Sequence, residues 1–163
     1  MTPDLDRRFW IVLVNKSLAL VYQKYSAGKE IRLIERIEHP EGRLKRHEID
    51  SDKPGRSFGP SMVRRHAYDN AINAVDHKAQ QFMSEIASLL DHGRSEDRYD
   101  WLVIVANSRM HGLLKKELKK PILNRIAKTV SRDFNYVNEH EIPAHLQEYL
   151  RELERAPLLR KAG

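Results

Sequence analysis

FWIVLVNKSLALVYQKYSAGKEIRLIERIE, residues 9–38, holds three apolar runs parted by short turns, and their spacing decides the fold. Residues 9–15 (FWIVLVN) are apolar until Asn15, the pattern of a central strand covered on both faces. Residues 18–24 (LALVYQK) follow a turn at Asn15, Lys16 and Ser17 and predict a second strand. Residues 30–38 (EIRLIERIE), entered through Ala27 and Gly28, alternate polar with apolar. They predict a third strand with Ile31, Leu33 and Ile37 to one side. Connections this short join antiparallel neighbours, so the three form a meander. A further short strand is predicted over 44–49.

Residues 52–60 (DKPGRSFGP) read as a loop, because two Pro and two Gly punctuate nine residues. Beyond them Ile72, Val75, Ala79, Phe82, Met83, Ile86, Leu89 and Leu90 recur at helical spacing, which predicts a long helix over 65–91 lying across the sheet. A polar linker, 92–100, leads to another buried strand at 101–106 (WLVIVA). Ser108 is placed to cap a helix with Met110, Leu113, Leu114 and Leu118 inward, and Pro121 interrupts that pattern. A last strand is expected at 126–130. A closing helix at 143–155 would turn Leu146, Tyr149, Leu150 and Leu153 inward. The order βββ-α-β-α-β-α predicts an α/β domain of ribonuclease-H-like arrangement: a mixed sheet with helices on both faces. It would occupy residues 1–155, with 156–163 a loose tail.

At 163 residues the chain has the size of one domain, and 40% hydrophobic with 32% charged residues describes a globular, well solvated one. It has no cysteine, so neither disulfides nor thiolate metal sites contribute. No apolar run approaches the roughly 20 residues that cross a bilayer. The opening MTPDLDRRFW lacks the order of a secretory signal, so a cytoplasmic protein without a membrane partner is expected.

The net charge of +6 points to a polyanionic partner, and its distribution sharpens the point. Residues 43–66 carry seven Lys/Arg against Glu48, Asp50 and Asp52, and residues 107–132 carry eight against Glu117 alone. The segments 67–106 and 133–163 are net acidic. These two cationic segments are expected to form one continuous electropositive face.

Catalytic constellations are scarce. A two-metal nuclease of this architecture needs carboxylates converging from its strands, yet the runs at 9–15, 18–24 and 101–106 carry none. His140 and His145 are five apart and do not share a helical face. His66 and His77 lack a third ligand, so the eight histidines read as surface or basic-patch residues and no metal is expected. Ser57, Ser61 and Ser108 sit in no nucleophile elbow, and the Gly-Arg-Ser segment lacks the Lys and spacing of a P-loop. No cofactor is expected.

What remains is Lys53-Pro54-Gly55-Arg56-Ser57-Phe58, followed by Arg64, Arg65 and His66 where the long helix begins. Gly55 allows backbone N–H groups close to a phosphate, Arg56 can fork onto one, and Phe58 can stack on a base.

Several blocks resemble the bacterial host attachment proteins: the opening WIVLVN, the turn Glu41-Gly42-Arg43-Leu44, and the loop Ser51-Asp52-Lys53-Pro54-Gly55-Arg56-Ser57-Phe58. The match resumes at 82–90, at 101–106 with Met110-His111-Gly112-Leu113, and at Val130-Ser131-Arg132-Asp133-Phe134, covering roughly residues 9 to 150. That family in turn resembles the middle domain of archaeal and eukaryotic-type peptide-chain release factors. There a Gly-Gly-Gln loop enters the peptidyl transferase centre and positions the water that cleaves peptidyl-tRNA. The resemblance implies a release-factor-like fold and places Gly55-Arg56-Ser57 in the equivalent loop, with Arg56 where the second Gly stands and Ser57 where the Gln stands. It therefore implies delivery of a basic loop into ribosomal RNA or tRNA without the Gly-Gly-Gln chemistry.

The expected RNA-binding residues are Lys53, Gly55, Arg56, Phe58, Arg64 and Arg65, with Lys115, Lys116, Lys119, Lys120 and Arg125 later in the chain. Two other readings stand beside this one. One is a hydrolase of peptidyl-tRNA or a related ester using Arg56 and Ser57; the other is a protein acting in bacterial attachment to host cells.

Overall fold

A computed structural model describes residues 7–28, 30–39, 61–134 and 138–155, without the side chains of 61–75 and 152–155. The strand expected over 44–49, the loop at 52–60 and the tail at 156–163 lie outside the described residues.

The first apolar run forms β1 (Arg8–Val14), and Phe9 through Val14 are all buried. It is central because both its edges are used: β2 (Leu18–Tyr25) pairs with it antiparallel, and β4 (Trp101–Ala106) pairs with it parallel. β3 (Arg32–Glu38) lines β2 antiparallel, and β5 (Ile126–Ser131) lines β4 parallel. The five-stranded mixed sheet has the order β3-β2-β1-β4-β5, the α/β arrangement that the element order implies.

Alternation sends Trp10, Val12 and Val14 to one face of the sheet and Phe9, Ile11 and Leu13 to the other, where they enter separate apolar cores. The first core is closed by Phe82, Met83, Ile86 and Leu90 of α1 (Ser61–Ser95) and by Met110 and Leu114 of α2 (Ser108–Glu117). Ile122 of the short α3 (Lys120–Leu123) completes it, and Pro121 stands in the first turn of α3, where its missing N–H costs nothing. The second core is closed by Ile142, Leu146 and Leu150 of α4 (Ile142–Arg155). Helices therefore cover both faces.

Two expectations are corrected here. A register shift between Val21 and Tyr22 in the pairing with β3 breaks the alternation of that strand. As a result Ile34 and Ile37 pack on the first core, Ile31 packs on the second, and Leu33 is 43% exposed. The cap of α2 is Asn107, not Ser108: the Asn107 side chain accepts from the Met110 N–H at 2.9 Å.

The opposite end of the sheet is tied by charge. Asp100 accepts from the Arg8 backbone N–H at 2.9 Å and from its guanidinium at 2.9 and 3.1 Å. Asp97, at φ 56°, turns the chain from α1 into β4 and adds a second carboxylate to the same arginine at 3.0 Å.

The long helix outruns what it covers. Its 35 residues rise about 52 Å, roughly twice the length of a seven-residue strand. Among its described side chains, burial begins at Phe82.

Candidate functional site

The second cationic segment folds as α2, α3 and β5, beside the C-terminal half of α1. α2 buries Met110, His111 and Leu114, with Leu113 half-buried beside them against the first core, so the opposite side of the helix faces solvent. Lys115, Lys116, Lys119 and Lys120 are all exposed, gathered between the last turn of α2 and the first residue of α3. Cations at the C-terminal end of a helix are favoured by its dipole, which explains Lys115 and Lys116 locally.

Their acidic neighbours are few. Asp91 of α1 binds Arg94 at 2.9 Å and Lys119 at 3.2 Å, and these two cations, Arg94 foremost, hold its carboxyl below the usual range. Glu117 is turned toward α1, where Ser84 at 3.1 Å and Gln80 at 3.4 Å donate to it. Among the described residues Lys115, Lys116 and Lys120 have no carboxylate partner.

Arg125 is also tied into the fold. Its guanidinium donates to the Tyr99 carbonyl at 2.6 Å and lies 5.6 Å from the centre of the Tyr99 ring. Burial pushes the Tyr99 hydroxyl up to about 12, although Arg125 pulls the other way.

Higher on the same face α1 and α2 enclose a cleft of about 390 Å³, lined by Asp76, His77, Gln80, Arg109, Leu113 and Lys116 among others. Arg109 donates to Asp76 at 3.1 Å across it. The cleft carries both signs of charge and so favours neither anion nor cation.

Of the expected site residues, Lys53, Gly55, Arg56, Ser57 and Phe58 lie outside the described residues, and only the backbone of Arg64 and Arg65 is described. The helix still places those two positions. From Arg65 to Asp91, which holds Lys119, α1 rises about 39 Å, so the two cationic groups lie at opposite ends of one helix. They are strung along a line rather than gathered in one compact patch, and only an extended polyanion could touch both ends.

The histidine reading is corrected at one position. His111 is 7% exposed, and its Nε2–H donates to the Val130 carbonyl at 2.9 Å while Nδ1 is buried without a partner. It anchors α2 to the edge strand, a role that apolar periodicity could not reveal. Among the described residues no three His, Asp or Glu are grouped to hold a metal ion, and no helix is long and apolar enough to cross a membrane.

Over 90% of its length the chain is similar in structure to two solved proteins, each at 11% sequence identity. One bears only the description archaeal protein (TM-score 0.45), and the other is an archaeal translation termination factor (TM-score 0.38). The chain spans 35% of the first and 40% of the second. No curated protein matches it in sequence. Residues 10–146 match the model of a family described as protein required for attachment to host cells, and the chain therefore belongs to that family.

Proposed function

We propose that this protein binds RNA, ribosomal or transfer, through phosphate contacts from Lys115, Lys116, Lys119 and Lys120. The observation that carries the reading is the exposure of these four lysines in one short segment, where among the described residues Lys119 alone has a carboxylate partner. Lysine is a compact, strongly hydrated point charge suited to phosphate, and neutralising phosphates releases condensed counterions. The choice of ribosomal or transfer RNA rests on the family's resemblance to the middle domain of release factors, in which Gly55-Arg56-Ser57 would occupy the place of the Gly-Gly-Gln loop. In this reading the family's part in attachment to host cells is indirect, exerted through translation. The patch supplies binding and no chemistry.

Sedimentation of the purified protein with 70S ribosomes tests this. Four phosphate contacts imply affinity falling about 100-fold between 50 and 200 mM salt. Lys115→Glu with Lys116→Glu should reduce both the co-sedimenting fraction and the salt slope. Unchanged co-sedimentation of the doubly reversed variant would overturn the proposal.

A further inference from the structure

The outer face of α2 carries a residue that packing does not explain. Gly112 is exposed in the middle of the helix, and among the described residues a Cβ built on it meets nothing beyond its own helix within 4 Å. Glycine in a helix interior is disfavoured relative to alanine, and here no neighbour requires it. Its surroundings are specific. At 3.6 residues per turn Gly112 lies opposite the buried Met110 and Leu114, with Lys115 about 60° to one side and Lys116 and Arg109 about 40° and 60° to the other. A bare stretch of backbone thus lies between cationic side chains on the face turned away from the core.

We infer that Gly112 opens α2 to close approach by the sugar-phosphate backbone of duplex RNA. The inference rests on the RNA-binding reading above and names the form of RNA it takes. Two observations select duplex over single strand. Residues 108–125 contain no Phe, Tyr or Trp, so the face offers no platform on which unpaired bases could stack. Its cations beside Gly112 are chiefly lysines, which contact phosphate without reading base edges. Double-stranded RNA is recognised in that manner, by shape and by phosphate and 2′-hydroxyl contacts. The missing side chain lets the helix lie against the strand, so that Lys115 and Lys116 reach phosphates on either side of the contact.

Fluorescence anisotropy with a labelled 16-base-pair RNA duplex and with one of its strands, alongside thermal melting of each variant, decides the matter. Gly112→Ala should raise Tm by roughly 1–4 °C, as alanine favours the helix. The same variant should bind the duplex more weakly, and Gly112→Leu should lose about tenfold, the worth of one charge-assisted hydrogen bond. Wild-type protein should prefer the duplex over the strand, with indifference to its sequence. A stabilised Gly112→Ala with unaltered duplex affinity overturns this inference and leaves RNA binding standing, as does a preference for the single strand. Failure of the wild type to bind either RNA overturns the underlying proposal as well.

Discussion

Gly93 sits near the end of α1 with no room for a side chain. A Cβ placed there would come 2.5 Å from Trp10 Cη2, 2.6 Å from Trp10 Cζ3 and 3.3 Å from Tyr99 Cε1. The indole cannot step aside cheaply. Trp10 is 1% exposed, its ring centre lies 4.7 Å from that of Tyr99, and Arg98 lies over its own face at 5.3 Å. Tyr99 is pinned in turn, since its hydroxyl donates to the Leu90 carbonyl at 2.7 Å. Overpacking a tight core costs about 1–3 kcal/mol, and contact with a rigid ring argues for the upper end. Alanine returns about 1 kcal/mol of helix propensity, leaving a net loss of about 2 kcal/mol for Gly93→Ala. In a domain of this size that lowers Tm by about 4–8 °C, readable by circular dichroism. On a Trp10→Phe background, where the clashing ring atoms are gone, Gly93→Ala should keep only its helix-propensity gain of about 1 kcal/mol, a coupling of about 3 kcal/mol. An unchanged or raised Tm for Gly93→Ala in the wild-type background would refute the reasoning.

Asn107→Ala removes the side-chain acceptor at the start of α2 and should cost about 1 kcal/mol, a fall in Tm of about 2–4 °C, whereas Ser108→Ala should be nearly silent. If the two substitutions have equal effects, the cap is misassigned. Burial favours the neutral Tyr99 phenol and raises its titration from the ordinary 10 to about 12, so the stability it contributes is whole below pH 10 and is lost as pH climbs from 10 through about 12. Tyr99→Phe should flatten the decline of the urea midpoint across that window, leaving the smaller part due to Tyr22, whose hydroxyl burial also raises. An identical alkaline decline in wild type and variant would count against this account.

The inner strands were legible because β1 and β4 are buried on both faces and show as unbroken apolar runs. β3 was found but its faces were misread. A register shift at Val21 and Tyr22 is a property of the pairing, invisible in the alternation of one strand. Ser is a favoured capping type, which points to Ser108, but Asn is equally favoured, and only the reach of the Asn107 side chain to the Met110 N–H decides the position. His111 resembled the other seven histidines in sequence until Val130, 19 residues away, supplied its acceptor. As for the candidate site, the four lysines could be listed from composition. The hydrogen bond from Arg125 to the Tyr99 carbonyl could not, because that contact joins two turns brought together only by the sheet. Gly112 was noticed in the sequence as part of a resemblance, and its empty surroundings emerged only once α2 had a packed side and an open one.

The parallel pairing of β1 with β4 has a consequence for biogenesis. Phe9 lies opposite Trp101, so the first strand must wait for 92 further residues before its second edge is filled. At about 5–20 residues per second the nascent chain holds that edge open for roughly 5–20 s, with FWIVLV already translated. The β1–β2 hairpin can close early, yet one side of its most apolar segment stays unsatisfied throughout synthesis of α1. Chaperone engagement during that interval, and its relief once WLVIVA emerges, would follow from topology alone.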